Sequence, residues 1–299
     1  MKKILPLLFV LCFALPLCAQ DSQLENGLTS LMKKHGLNCC TAQATPTICL
    51  LCGIEAPKPC IAKPLDEAVA LAKNQPKVEK VLIFCPDATG KFIVDKYPED
   101  WKPLIESSTF SAVGTNVLPS VTPVCFGAIF TGCPPEIHGI RKYNDKYNPN
   151  PIKVETLFDA FTAAGKKAII ISSKNCSIDL IFRGHKVDQI TTNNSQESVD
   201  TAKKILREGK YDLVLCYDGN YDSTMHAKGV FHEKSLAAMR DSIRWYLELV
   251  AVADEVWPNQ KHLTAFLPDH GAHDLENGKG THGSDQACDA IVQSFYRIK

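Results

Sequence analysis

Four continuous runs of apolar residues stand out along the chain. They are Val81–Cys85, Lys167–Ser172, Leu213–Cys216 and Leu263–Leu267. A short apolar run without polar alternation is typical of a strand that is buried on both faces of a sheet. The pattern therefore predicts four buried strands.

Amphipathic segments between these runs predict helices. Val154–Ala164 and Ser198–Glu208 are each followed by a glycine, which favours a helix end, and His232–Val256 is the longest such segment. Strands that alternate with helices indicate the α/β class. We expect residues 78–299 to form one three-layer α/β/α sandwich with a mostly parallel central sheet.

Residues 20–77 precede this pattern and are expected to form an extension packed on the domain. Leu24–Lys34 and Leu65–Lys73 are its predicted helices. Disulfides that pin the extension are the favoured interpretation of its cysteines, with free thiols and a metal site as the alternatives. The five cysteines are Cys39, Cys40, Cys49, Cys52 and Cys60.

The first 19 residues are predicted to be a signal peptide. Lys2 and Lys3 precede Ile4–Leu17, an uncharged run that is shorter than the roughly 20 residues that span a bilayer. Cleavage after Ala19 would give a secreted or periplasmic protein, and a lipid anchor at Cys18 is the less favoured alternative. No other stretch predicts a transmembrane segment.

Composition narrows the possible functions. The 299 residues are 45% hydrophobic, with 33 basic and 33 acidic side chains and no net charge. That balance excludes a disordered chain and gives no electrostatic reason to expect nucleic-acid binding. It does not predict an oligomeric state.

Metal-ligating side chains follow the predicted strands. The carboxyl ends of parallel strands meet at one edge of a sheet, where ligands bind. Carboxylates with neutral imidazoles suit zinc, and also manganese or iron. Six groups exceed the needs of one tetrahedral ion, so the sequence predicts two. The candidates are Asp87, Asp222, His226, Asp269, His270 and His282.

A threonine stands at a predicted helix start. Thr122-Pro123 predicts a helix with Thr122 as N-cap and Pro123 at the first helical position. A phosphate is well placed at such a terminus. A metal there could also lower the pKa of the hydroxyl and make Thr122 a nucleophile as well as a metal ligand.

With these residues the sequence resembles the alkaline phosphatase superfamily, and within it the type I phosphodiesterase/nucleotide pyrophosphatase branch. The resemblance runs from about Val81 to His282. The matching motifs are Pro119-Ser-Val-Thr122, Thr131-Gly132, Pro135-Glu-Ile-His138-Gly139-Ile140, Asp222-xxx-His226, Asp269-His270-Gly271 and His282-Gly283.

The resemblance implies a role for each candidate. It implies that Asp222, His226 and His282 hold one zinc ion. It implies that Asp87, Asp269 and His270 hold the other, with Thr122 as the nucleophile between the two ions. Asp87 lies in Cys-Pro-Asp-Ala-Thr-Gly, which departs from the usual Asp-Gly.

A second departure concerns phosphate binding. Cys125 stands where relatives in this branch usually carry an asparagine that holds a phosphate oxygen. Cys125 is a weak donor, so Asn116 or a backbone N–H is the alternative. Cys125 and Asn116 are therefore the candidate substrate-binding residues.

The expected function is an exported two-zinc phosphohydrolase that cleaves a diester or pyrophosphate bond of a small molecule. A phosphomonoesterase, phosphonate hydrolase or phosphotransferase, or a non-catalytic binding protein on this scaffold, are the alternatives. Asp218 is an alternative ligand, His138 is expected to brace a loop, and His273 and Asp274 are candidate partners of a ligand histidine.

Overall fold

The computed structural model describes residues 27–299. Residues 27–35 are helical (α1). The later helices are α2 Ala44–Cys52, α3 Asp66–Ala72, α4 Lys91–Lys96, α5 Pro98–Ser107, α6 Thr122–Thr131, α7 Pro135–His138, α8 Leu157–Ala163, α9 Ser177–Ile181, α10 Ser195–Glu208, α11 Asn220–Lys228, α12 Glu233–Val256 and α13 Ala287–Ala290. The strands are β1 Lys80–Pro86, β2 Phe110–Thr115, β3 Ala168–Ser173, β4 Asp188–Thr192, β5 Leu213–Asp218, β6 His262–Phe266, β7 His273–Asp274, β8 Gly280–Thr281 and β9 Ile291–Ile298. Two 3₁₀ segments occupy Thr41–Gln43 and Tyr143–Tyr147.

Seven strands form the central sheet, in the order β2-β9-β6-β1-β5-β3-β4. The pairs of β1 with β5 and β6, and of β3 with β4 and β5, are parallel. Only β9 runs antiparallel to its neighbours β2 and β6. The prediction of one mostly parallel sheet is confirmed, and all four predicted strands lie side by side within it.

Helices cover both faces of the sheet. Along β1, Val81, Ile83 and Cys85 belong to one buried cluster, whereas Leu82 and Phe84 belong to the other. Successive side chains of a strand point to opposite faces, so these clusters fill the space between the sheet and each helical layer. The three-layer sandwich is confirmed.

The segment before β1 contributes to one of these layers. Ile48 and Cys49 of α2 are buried in the same cluster as Val81. The bond from Thr115 N to Cys39 O also ties the segment to β2. Residues 27–77 therefore share a core with the sheet.

The cysteines of this segment do not pair. All eleven cysteines of the described residues are free thiols, so the favoured expectation of disulfides is wrong in this structure. No three of the five early cysteines are close enough to share a metal ion within residues 27–299. Burial raises the pKa of Cys60 to about 11, which keeps this thiol protonated.

The predicted signal peptide and Cys18 lie outside the described residues. Between residues 27 and 299, no helix combines the length and apolar character that crossing a membrane requires.

Candidate two-metal site

Asp222, His226 and His282 come together at the carboxyl end of the sheet. Asp222 and His226 are four residues apart on α11, so they share one helix face, and His282 follows β8. The Nε2 atom of His226 lies 3.1 Å from Nε2 of His282 and 3.2 Å from Oδ1 of Asp222. The Nε2 atom of His282 lies 3.4 Å from the same oxygen. We call these residues the outer group.

Asp87, Asp269 and His270 form a second, fully buried group, which we call the inner group. Asp87 directly follows β1, and Asp269 and His270 follow the adjacent β6. The Nε2 atom of His270 lies 3.5 Å from Oδ1 of Asp87 and 3.3 Å from Oδ2 of Asp269. The ring centroids of His270 and His282 stack 4.0 Å apart, so the two groups are direct neighbours.

These separations fit a metal ion. Zinc bonds of about 2.0–2.1 Å in a tetrahedron place neighbouring ligand atoms about 3.3 Å apart. The donor atoms of both groups stand 3.1–3.5 Å apart wherever a nitrogen is involved. The side chains are therefore spaced as if around an ion, although repulsion between lone pairs disfavours that spacing without one.

The carboxylate oxygens give an independent indication. Oδ1 of Asp87, Oδ1 of Asp222 and Oδ2 of Asp269 are buried and have no hydrogen-bond partner among residues 27–299. Leaving such an atom unsatisfied costs about 1–3 kcal/mol or more. Each of these oxygens is the one that faces a histidine Nε2. A cation at each group would satisfy all three.

The second nitrogen of each histidine fixes its orientation. Nδ1 of His226 donates to Gly280 O at 3.0 Å, Nδ1 of His282 to Ser120 O at 2.9 Å, and Nδ1 of His270 to Gly271 O at 3.0 Å. A backbone carbonyl can only accept, so Nδ1 carries the proton and Nε2 presents a lone pair. Metal-ligating histidines have this arrangement.

The carboxyl groups of the inner group are held in an unfavourable environment. Burial, together with the charge of Asp222, raises the pKa of Asp87 to about 7. Burial and the charge of Asp87 raise the pKa of Asp269 well above its usual range. Two buried carboxylates with no cationic side chain in contact need a counter-charge, which a divalent cation supplies.

The charges of the outer group compensate one another, unlike those of the inner group. Burial pushes the pKa of Asp222 upward, but the neighbouring imidazoles of His226 and His282 outweigh it and leave the pKa lowered. The adjacent carboxylate of Asp222 raises the pKa of His226 to about 9. Protons on these histidines therefore compete with a metal ion for the same lone pairs.

Thr122 lies beside the inner group. Its Oγ1 is 3.3 Å from Nε2 of His270. The predicted capping role is corrected: Val121, with extended backbone, is the N-cap of α6, Thr122 is the first helical residue, and no side chain caps this terminus. The hydroxyl is therefore directed at the candidate metal site rather than at the backbone of its own helix.

Glycine is required directly after His270. A Cβ on Gly271 would lie 1.9 Å from Cys288 O and 3.0 Å from Gly90 Cα. The loop after β6 thus packs against the backbone on both sides, which explains why Asp269-His270-Gly271 ends in glycine. Ala88, which follows Asp87, has a φ of 61°, a conformation that glycine adopts more easily.

The two predicted substrate-binding residues lie elsewhere. Cys125 is fully buried, and its thiol points at Val117 O, 3.6 Å away. The amide of Asn116 is buried, donates to Asp289 O at 2.9 Å and accepts from Ser120 Oγ at 3.1 Å. Neither lines the cleft. The structure thus brings neither side chain into the lining of the cleft, and both have buried partners nearby.

The other residues weighed from the sequence have structural partners. Asp218 accepts from Ser242 Oγ and Asn220 N, so it is not a free ligand. His138 is buried, and its ring fills the space beside Gly127 of α6. His273 bonds Asp289 at 2.7 Å and Asp274 accepts from a backbone N–H, so neither orients a ligand histidine.

A cleft of about 460 Å³ is lined by Thr122, by the outer group and by Asp87 of the inner group. Its lining includes residues that the sequence reasoning missed, among them Tyr217, Lys146 and Asn175. Tyr217 donates to the second carboxylate oxygen of Asp87. Its place directly before Asp218, at the end of a predicted strand, was the signal that could have revealed it.

No protein-family model matches the sequence, and a search of curated proteins finds no similar sequence. Solved structures do resemble it. Two structures of murine ectonucleotide pyrophosphatase/phosphodiesterase 5 (ENPP5), one of them an inactive variant in complex with AMP, align with a TM-score of 0.54 at 17% and 18% identity. Each covers 66% of this chain and 58% of the ENPP5 chain.

The chain therefore shares its fold with ENPP5. The likeness to ENPP5 confirms, at the level of the fold, the resemblance that the sequence motifs indicated. Phosphonoacetate hydrolase from Sinorhizobium meliloti 1021, in complex with phosphonoformate, aligns at 16% identity with a TM-score of 0.49, over 68% of this chain and 60% of its own. This chain thus spans less than two thirds of the structures that it matches.

Proposed function

We propose that this protein is a divalent-metal-dependent phosphohydrolase that uses Thr122 as its nucleophile. The observation that carries the proposal is the convergence of both ligand groups and the Thr122 hydroxyl at the buried end of one cleft, with three buried carboxylate oxygens left unpaired.

Each group of residues has a role in the proposed reaction. The inner group would hold one ion beside Thr122, and the outer group would hold the other. The donor set suits zinc best, with manganese or iron as alternatives. When bound, the two cations would supply positive charge at the attacking and leaving oxygens of the phosphoryl group.

Thr122 Oγ1 gives up its proton to water and attacks phosphorus as the bond to the leaving-group oxygen breaks, and that oxygen takes a proton from water. Water then attacks the phosphothreonine, which releases the phosphorylated product and restores the hydroxyl. Buried walls around the inner group exclude bulk water and strengthen each electrostatic interaction there.

A phosphate diester or pyrophosphate of a small molecule is the proposed substrate class. The motifs around Thr122 and the fold shared with ENPP5, named as a pyrophosphatase/phosphodiesterase, support this choice over a monoester. We also propose that the chain is exported. Mass spectrometry of the mature protein, expected to begin after Ala19, tests the export.

A turnover panel tests the function. The purified protein is assayed with an aryl phosphate diester, the matching monoester and the matching aryl sulfate, with and without a chelator, and its zinc content is measured. We expect two zinc ions per chain, chelator-sensitive turnover and the highest rate on the diester. A folded protein that binds no divalent metal would support the binding-protein alternative.

A further inference from the structure

A buried lysine lines the cleft over the two metal groups. Lys146 is only 4% exposed, and it lies in the 3₁₀ segment Tyr143–Tyr147. Its ammonium group lies 3.7 Å from the ring centroid of Tyr143 and 3.4 Å from Oγ of Ser177. It shares the cleft with Thr122 and the outer group.

No carboxylate of the described residues lies within 4.0 Å of this ammonium group, which distinguishes Lys146 from two other largely buried lysines. Lys80, 13% exposed at its side chain, pairs with Asp212 at 2.9 Å. Lys203, 22% exposed, pairs with Glu248 at 2.7 Å. Removing a cation from water is costly unless an opposite charge compensates, so the most buried of the three lacks the partner that the others have.

The contacts that Lys146 does make are weak substitutes. Ser177 is 3.4 Å away, at the long end of the hydrogen-bond range, and a hydroxyl carries no charge. The ammonium group also lies 5.2 Å from the ring centroid of Tyr147. Tyr143 and Tyr147 are themselves 47% and 64% exposed, and a cation–π contact at such a site contributes about 0.5–1 kcal/mol. The ammonium group of Lys146 therefore lacks an anionic partner.

The neighbouring side chains would complete such a site. Ser177 offers a hydroxyl, and Asn175 lines the same cleft. Asn175 has a φ of 64°, a left-handed conformation that asparagine tolerates. An amide, a hydroxyl and an ammonium together can donate several hydrogen bonds to a carboxylate or phosphate group.

We propose that Lys146, with Ser177 and Asn175, forms a subsite for a second anionic group of the substrate. This inference rests on the proposed function, in which the two metal groups hold the phosphoryl group that reacts. Lys146 then selects substrates that carry a carboxylate or a further phosphate on the part that does not react. The subsite thus determines specificity rather than chemistry.

Binding measurements without turnover test the subsite. Calorimetry on the zinc-loaded protein compares propylphosphonate with phosphonopropionate, which adds a carboxylate, and with ethylenediphosphonate, which adds a second phosphonate. We expect at least one of the two probes that carry a second anionic group to bind at least about 10-fold more tightly than propylphosphonate. Which one binds best distinguishes a carboxylate from a phosphate subsite.

Variants of Lys146 test whether this residue causes the preference. Lys146→Met should remove the preference while leaving the affinity for propylphosphonate within about two-fold, and Lys146→Arg should retain part of it. Lys174→Met is the matched control, because it removes an exposed lysine from the turn beside Asn175 and should change neither affinity. The preference is the ratio of the affinities of one protein sample for two probes. A smaller folded fraction in that sample therefore does not imitate a loss of the preference.

Three outcomes would overturn the subsite: equal affinities of the wild-type protein for all probes, no binding of any probe, or an unchanged preference in Lys146→Met. Failure of the proposed function is a separate result. A protein that binds the probes with the expected preference but cleaves no aryl ester would retain the subsite and lose the hydrolase.

Discussion

The Oγ1 atom of Thr122 and the Nε2 atom of His270 lie 3.3 Å apart at the buried end of the cleft. That nitrogen also faces the unpaired carboxylate oxygens of Asp87 and Asp269. The hydroxyl is therefore in position to join the inner group as a fourth oxygen or nitrogen atom. Because Val121 and not Thr122 is the N-cap of α6, capping does not explain the residue.

Thr122→Ala separates chemistry from stability. The change removes the hydroxyl and one buried methyl group, so we expect the free energy of unfolding to fall by about 1 kcal/mol. Six ligands remain, so both zinc ions should stay bound. We expect kcat/KM on the aryl diester to fall roughly 1,000-fold or more, as is typical when a nucleophile is removed.

Two further variants serve as controls. Thr122→Ser keeps the hydroxyl and should retain part of the rate. Thr131→Ala removes a buried hydroxyl at the other end of α6, where it bonds Gly127 O at 2.7 Å, and should leave kcat/KM nearly unchanged. A Thr122→Ala protein with two zinc ions and normal turnover would instead favour direct attack by water.

The two ligand groups should lose metal independently. Asp222→Asn removes a negative ligand from the outer group only, and Asp269→Asn does so from the inner group only. We expect each variant to hold about one zinc ion per chain by elemental analysis and to lose most of its turnover.

Asp218→Asn is the matched control for both. The carboxylate of Asp218 lies at the end of β5, four residues before Asp222, but it bonds Ser242 and Asn220. The variant should therefore retain two zinc ions. Loss of zinc from Asp218→Asn, together with full occupancy in Asp222→Asn, would reverse the ligand assignment.

The sequence predicted the centre of the sheet better than its edges. Val81–Cys85 and Leu213–Cys216 are apolar throughout because both faces of these strands are covered. The edge strands β2 and β4 and the antiparallel β9 were missed. Phe110–Thr115 and Asp188–Thr192 carry exposed and half-buried positions, so their patterns resemble those of loops.

The candidate ligands were found because the end of a buried strand can be recognised in a sequence, where an apolar run gives way to polar residues. The order of the motifs along the chain indicated the remaining ligands. Cys125 and Asn116 were expected at a cleft that they do not line, because spacing along a helix or loop does not reveal where a side chain points. Lys146 was missed for a related reason. Between exposed tyrosines, its position in the sequence resembles a surface segment, and only the packing of Tyr143–Tyr147 brings it into the cleft.

Asp289 is expected to hold the metal-bearing loops in place. Its Oδ1 bonds Nδ1 of His273 at 2.7 Å, and its Oδ2 accepts from both N and Oγ of Ser284, two residues after His282. Its carbonyl accepts from Gly271 N at 2.9 Å, next to His270. One buried residue thus contacts the loops of both ligand groups.

Asp289→Asn replaces one accepting oxygen with a donor, so it breaks at least one of these bonds. We expect the free energy of unfolding to fall by about 1–3 kcal/mol and the affinity for zinc to fall about 10-fold or more. Chelator competition measures the affinity. Asp285→Asn, an exposed neighbour paired with Lys34, is the control and should change neither quantity. Unchanged zinc affinity in Asp289→Asn would limit the residue to a role in stability.

His138 lies away from the candidate metal site, and its burial should make the stability of the protein depend on pH. Its ring is fully buried against Gly127, and burial lowers its pKa from 6.5 to about 3. The nitrogen Nδ1 accepts from Ile140 N at 3.3 Å, which also requires the neutral ring. The folded protein therefore holds His138 unprotonated, whereas the unfolded chain takes up a proton once the pH falls below about 6.5.

The contribution of His138 to stability is therefore fully present above pH 6.5 and is lost as the pH falls towards about 3. We expect the wild-type free energy of unfolding to fall across this window by up to about 1.4 kcal/mol per pH unit more than that of His138→Asn. The asparagine oxygen can still accept from Ile140 N, and the variant has no titrating group at this position. Urea unfolding of both proteins at several pH values measures the difference. Parallel curves for the two proteins would mean that His138 is not held neutral against α6.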